Sequence, residues 1–166
     1  MNESRVGVVC DAGPLIHLDE LSSLSLLNDF EKILIPEQVW MEVAHHRPQA
    51  LTHPDLSIAK IAVDISSKPV FQALVKTLSL DLGEQAALSL MEIHASDIFI
   101  TDDAAARLAA DALGYKVHGT IGIMVRAIRR KRRSKEEVIE LLRALPMLST
   151  LHIRPSVLQA VIDKLQ

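Results

Sequence analysis

VGVVCDAGPLIHL, residues 6–18, holds the first structural decision in the chain. An apolar, β-branched run stops on a carboxylate, Asp11, and a small-residue turn containing Pro14 follows. Runs of this length and composition form buried strands. The apolar residues after Pro14 predict a short helix, which breaks up around SSLSLLNDF. Asp11 then has two readings. It can cap the helix by accepting a backbone N–H, or it can be one jaw of a metal site. The stretch by itself admits both.

Outward from this stretch, strand and helix patterns alternate. KILIP (32–36) reads as a second strand, and Pro36 opens a helix through PEQVWMEVAHH. Residues 47–57, with Pro48 and Pro54, read as a loop. IAKIAVDI holds a short strand, and Pro69 starts a helix through PVFQALVKTLSL. DLGEQAALSLMEIHA is an amphipathic helix with Leu88 and Met91 on one stripe. DIFIT (97–101) is a strand, DDAAARLAADALG a helix ended by Gly114, YKVHG a strand, and TIGIMVRAIRRKRR a helix. Ser134 and Glu137 form a capping box for KEEVIELLRAL, which Pro146 ends. LHIR reads as a last short strand and SVLQAVIDKL as a last helix. Strands alternating with helices imply parallel βαβ units with both sheet faces covered. No repeat or long linker divides the chain, so one domain is expected over residues 1–166.

Bulk composition narrows the function. With 49% hydrophobic and 23% charged residues, the chain is globular rather than disordered. Aromatics are only 3%, which disfavours base stacking on aromatic platforms. A net charge of −3 argues against a general electrostatic nucleic-acid binder but leaves room for a local basic patch. The single cysteine, Cys10, forbids an intrachain disulfide and suits a reducing compartment. The polar start MNESRVG lacks a leader pattern, and no apolar stretch matches a membrane span. A cytoplasmic protein is the expectation.

Acids gather at one edge of the implied sheet. Ligands of open parallel sheets bind beyond the carboxyl ends of the strands. Asp11 follows the first strand, and Asp102 and Asp103 follow DIFIT. Glu42 borders the apolar face of its helix, three residues after Val39 and one before Val43. Glu84 starts the stripe that continues through Leu88 and Met91. Plain structural roles exist for most of them. Asp102 is a natural helix N-cap, Asp103 suits a first turn and could pair with Arg107, and Glu84 also lies in a first turn. Glu42 is not at a helix start and is the least easily explained this way. Carboxylates near a buried face repel one another and resist dehydration. A hard cation relieves both costs, and a cluster without His or Cys ligands points to Mg²⁺ or Mn²⁺ and a phosphate-bearing substrate.

Other motifs carry less. His45 and His46 are adjacent and cannot form the i, i+4 pair of a zinc protease. His17, His53 and His94 read as solvated or locally satisfied. Arg129, Arg130, Lys131, Arg132 and Arg133 form a basic run at a helix C-terminus. A solvated helix end is the first reading of that run and an RNA-backbone contact the second. No G-x-G-x-x-G follows the first strand, against a dinucleotide binder. Gly13 stands where an aspartyl phosphatase would want its second Asp. From Ser134 onward the chain reads as core-covering helix without chemistry.

The ordered set VVCDAGPLIHL, ILIPEQVWMEV and LDLGEQAALSLMEIHASDIFITDDAAARLAADALGYKVHGTIGIM resembles the PIN-domain family of metal-dependent nucleases, which includes the VapC-type toxins. Asp-Ala-Gly-Pro-Leu-Ile, Leu-Gly-Glu and Asp-Asp-x-x-Ala-Arg mark the nearest subfamily, and the likeness covers roughly residues 6–130. It implies a three-layer α/β/α fold around a parallel sheet, with residues 134–166 as a helical extension packed on it. It implies an acidic site of Asp11, Glu42, Glu84 and Asp103, with Asp102 an extra acid and Thr120 in support. It further implies a metal-dependent endoribonuclease acting on single-strand-accessible RNA, a homodimer, and a small antitoxin partner. The rival is a catalytically silent PIN fold that binds RNA or protein.

Overall fold

The computed structural model describes residues 6–95 and 97–166. Residues 1–5, most of the polar start, lie outside it. In chain order the elements are β1 (Val8–Cys10), α1 (Ala12–Glu20), β2 (Ile33–Pro36), α2 (Glu37–His46), β3 (Ile58–Ile61), α3 (Pro69–Leu78) and α4 (Leu82–Ile93). β4 (Ile98–Ile100), α5 (Ala104–Ala112), β5 (Lys116–His118), α6 (Thr120–Arg129), α7 (Lys135–Leu148) and α8 (Pro155–Leu165) follow. The five strands form one parallel sheet in the order β3-β2-β1-β4-β5.

The strand sequences explain the layers. Alternate side chains of a strand face opposite sides of the sheet. Val8, Cys10, Ile33, Ile35, Ile98 and Ile100 join one core with α1, α2, α6, α7 and α8. Val9, Leu34 and Phe99 join the other with α3, α4 and α5. Runs that are apolar on both faces therefore belong to strands buried on both faces. The result is a three-layer α/β/α fold. No helix among the described residues is long and apolar enough to cross a membrane.

The sheet order fixes where a site can form. β1 leads outward through β2 to β3, and the chain then crosses back to place β4 on the other side of β1. The order reverses between β1 and β4, and the crevice beyond their carboxyl ends is the natural ligand position. Asp11 leaves β1 there, and Thr101, Asp102 and Asp103 leave β4 there.

Several local expectations need correction. Helix α1 begins at Ala12, before Pro14, because Asp11 caps it. Pro146 does not end α7, which runs on to Leu148. A proline so close to a free helix end disturbs only one last-turn hydrogen bond. Helix α6 stops at Arg129, short of the basic run's end. Lys131 turns the chain at a φ of 56°, while its N–H bonds Ile128 O and that of Arg132 bonds Ala127 O. This is the pattern of a left-handed C-terminal cap. LHIR holds no strand; it lies within a linker from α7 to α8 that side chains, not sheet pairing, hold in place.

Candidate active site

The switch-point crevice is built by short hydrogen-bonded links. Asp11 is 8% exposed. Its Oδ1 accepts the Ala12 N–H at 2.9 Å, and its Oδ2 accepts the Thr101 hydroxyl at 2.9 Å. Thr101 Oγ1 in turn accepts the Asp103 N–H at 3.1 Å. One buried threonine thus ties the end of β1 to the end of β4. Asp103 Oδ1 accepts the Ala106 N–H at 2.8 Å, so Asp103, not Asp102, is the N-cap of α5. The expected Asp103–Arg107 pair is not formed; Arg107 instead donates to Thr101 O at 3.3 Å.

Asp102 is occupied elsewhere. Its Oδ1 accepts the Thr120 N–H at 2.7 Å, and its Oδ2 accepts the Thr120 hydroxyl and meets His17 Nδ1 at 2.7 Å. Burial opposes its ionisation, but the His17 and Thr120 hydrogen bonds outweigh burial and hold its carboxyl below the ordinary range. Asp102 is therefore a latch joining β4, α1 and the start of α6. Sequence reading missed His17, because its partner is 85 residues away and no local pattern joins them.

Helices α2 and α4 bring the glutamates. Asp81 caps α4 by accepting the Glu84 N–H at 2.8 Å, and Glu84 Oε2 accepts the Asp81 N–H at 2.9 Å. This reciprocal box satisfies two otherwise unpaired donors. Gly83 stands between the capping box and α2, with room for a Cβ at ordinary contact distance. A Cβ on it would stand 3.4 Å from Asp81 Oδ1 and 3.8 Å from Glu42 Oε2. Asp81 was also missed, although D-x-x-E before an apolar stripe is the signature of such a box.

Together these elements line a pocket of about 330 Å³. It holds Asp11, Glu42, Asp81, Glu84, Asp102 and Asp103, and no Lys or Arg stands among its described lining residues. His17 and, from the α7–α8 linker, Thr150, Leu151 and His152 complete the wall. The C-terminal segment, read as devoid of chemistry, therefore borders the site. Burial pushes the Asp11 carboxyl up to about 6, against its hydrogen bonds and with help from Asp81 and Glu42. Burial also pushes Glu84 up to about 7, with Asp81, Asp103 and Asp11 adding repulsion. Glu42 is raised by burial and then by Asp81. Apart from the His17 contact of Asp102, no ion pair compensates these carboxylates among the described residues.

The basic run is not part of this pocket. Arg129 lies nine residues along α6 from Thr120, about 14 Å of helix. Arg130 Nε meets the buried Asp29 at 2.7 Å beside Arg126, Arg132 bonds Asn28, and Arg133 approaches Ser25 Oγ at 3.4 Å. These arginines fasten α6 to the segment before β2. Arg129 and Lys131 are exposed.

The six carboxylates supply oxygen donors that are crowded and face no Lys or Arg among the described lining residues, which fits a hard divalent cation. As placed, no three acidic, His or Cys side chains among the described residues close on a metal position. Glu42 is exposed, lines the pocket and makes no hydrogen bond among the described residues. Asp103 Oδ2 and Glu84 Oε1 likewise accept no hydrogen bond there, whereas both Asp102 oxygens are engaged.

A family model described as a PIN domain matches residues 7–166. No curated protein matches the chain at a significant level. The match spans the sheet, the acidic crevice and the C-terminal helices alike, and nuclease activity is the general property of this family. Divalent metal ions are commonly used by its nucleases. The strand order, the acids at the β1/β4 switch point and this match agree: the chain belongs to the PIN-domain family.

Proposed function

We propose that the protein is a divalent-metal-dependent endoribonuclease that hydrolyses RNA phosphodiesters to 3′-hydroxyl and 5′-phosphate ends. The observation that carries this reading is the pocket of six carboxylates without a lysine or arginine at the sheet's switch point. A Mg²⁺ or Mn²⁺ ion bound there supplies neutralisation of phosphodiester charge and a more acidic water. Asp11 and Asp103 are the residues to hold it: each is fixed by its cap, Asp103 Oδ2 accepts no hydrogen bond among the described residues, and each Asp11 oxygen accepts only one. Glu84 and Glu42 complete the set or orient water. Asp102 serves through its latch: with Thr120 and His17 it keeps the end of β4 in register with α1 and α6. Thr101 fixes the orientation of Asp11.

Asp11→Asn keeps the cap acceptor and removes the charge. It is expected to lower cleavage of a single-stranded RNA by at least about 100-fold while circular dichroism stays unchanged. Undiminished cleavage by this variant overturns the reading. RNA as substrate, an antitoxin partner and a homodimer are what the likeness to VapC-type toxins supports, and we adopt them on that ground. The open spacing of the carboxylates favours the rival, a silent RNA- or protein-binding module. Titration of Mn²⁺ separates the two, because the silent module shows no saturable binding that Asp11→Ala removes.

A further inference from the structure

A second cleft adjoins the acidic pocket. It has a volume of about 350 Å³ and shares Asp102, Leu151 and His152 with the first. β5, the first turn of α6, the α7–α8 linker and α8 enclose it. Ile121, Val157 and Val161 supply apolar walls, and Arg107, His118 and His152 supply a polar edge. Small-molecule sites have this make-up: mostly apolar, a few convergent polar groups, and a volume of about 300–1,000 Å³.

Two glycines line the cleft, and Gly119 leaves no room for a Cβ. A Cβ on Gly119 would stand 2.6 Å from Arg107 Nη2 and 2.8 Å from Asp102 Oδ1. Its backbone is extended, with φ −99° and ψ −177°, so the requirement is for space. A Cβ on Gly122 would stand 3.4 Å from His118 Nδ1. The guanidinium and imidazole thus lie close against bare backbone.

We infer that this cleft is the subsite for one unstacked nucleobase of the RNA, the base beside the phosphate held at the acidic pocket. The inference rests on the ribonuclease reading. Its occupant follows from continuity and chemistry. Whatever strand places a phosphate in the acidic pocket has its neighbouring base within reach of the shared wall at Leu151 and His152. Single-stranded RNA is recognised by splaying bases onto flat side chains, and where Phe, Tyr and Trp are absent, His rings and Arg planes serve. Among the described residues no Phe, Tyr or Trp lines either pocket, and the cleft gathers two imidazoles and one guanidinium. Burial lowers the pKa of His118, with Arg129, Arg126 and Arg107 adding to it. A neutral imidazole offers both a donor and an acceptor to a base edge.

The test uses Val157→Trp, since Val157 is 48% exposed and a larger side chain there fills the cleft from outside the core. Adenosine, guanosine, cytidine and uridine are titrated separately, without metal, while amide shifts are followed by NMR. Saturable shifts at Gly119, Gly122 and Ile153, removed by Val157→Trp, are expected. Absence of such shifts, or shifts that persist in the variant, overturns the inference and leaves the cleft to an apolar side chain of a protein partner. In parallel, Val157→Trp is expected to raise KM for a single-stranded RNA about tenfold with kcat within about twofold. An unchanged KM also overturns it. Failure of the wild-type protein to cut RNA removes the nuclease reading instead, and the nucleoside titration still decides the cleft.

Discussion

Asp11 and Glu84 show how one side chain can serve both the fold and the site. Each takes part in a helix start, and each is held in its charged form at a cost set first by burial. Their carboxyls rise from 3.8 to about 6 and from 4.5 to about 7. Between about pH 4 and pH 7 the folded chain therefore binds protons that the unfolded chain has released. Stability of the metal-free protein falls as pH rises through that window. Asp11→Asn removes its share of the penalty and is expected to stabilise the metal-free protein by about 2–3 kcal/mol at pH 8 and by little at pH 4. Urea unfolding at the two pH values measures this. A gain of equal size at both, or a loss at pH 8, would contradict the electrostatic origin.

At the scale of elements, the linker between α7 and α8 owes its path to Glu20. The carboxylate accepts the Thr150 N–H at 2.9 Å, the Thr150 hydroxyl at 2.9 Å and the Ser149 hydroxyl at 3.1 Å. Burial opposes its charge, and these donors together lower its pKa below the ordinary value. Helix α1 is thus capped by the pocket acid Asp11 at its start and fastens the far wall of the pocket at its end. Glu20→Ala deletes the acceptor. The Thr150 amide is expected to exchange with solvent about fivefold faster, as loss of about 1 kcal/mol of local protection requires. Amides of β1 are expected to be unaffected. Hydrogen exchange followed by NMR reads both, and an unchanged Thr150 rate rules out the tether.

For the whole molecule, α8 belongs to the larger core. Leu158 and Ile162 are 7% and 3% exposed and join Val138, Leu142 and Leu145 of α7 in the cluster that backs the sheet. Each such side chain contributes about 1.5–3 kcal/mol by burial, against a total stability of about 5–15 kcal/mol. Removing residues 149–166 is expected to lower Tm by about 10–20 °C. Calorimetry measures this, and an unchanged Tm would show that the extension is not integral to the core.

The sequence was most legible where local chemistry repeats. Runs such as VGVVC and DIFIT declared buried parallel strands, and that arrangement places Asp11 and Asp103 at one edge. Asp81 is equally legible from its D-x-x-E spacing, as the cap of α4 and the residue that orients Glu84. The Asp11–Thr101 and His17–Asp102 contacts span 90 and 85 residues and become visible only when β1 and β4 are neighbours. LHIR has the apolar alternation of a strand, yet the sheet's outer position is already β5, and the segment instead packs Leu151 and Ile153 on the core behind the Ser149–Thr150 tether to Glu20.

The linker's place in the pocket wall has a consequence for biosynthesis. Every carboxylate of the crevice has been translated by residue 103, but the wall formed by Thr150, Leu151 and His152 comes nearly fifty residues later. A chain still emerging from the ribosome, or one ended early by a premature stop before residue 149, carries all six acids without the surface that completes their enclosure. Enclosure of the pocket therefore waits on residues 150–152, whose synthesis follows that of the last of the six acids.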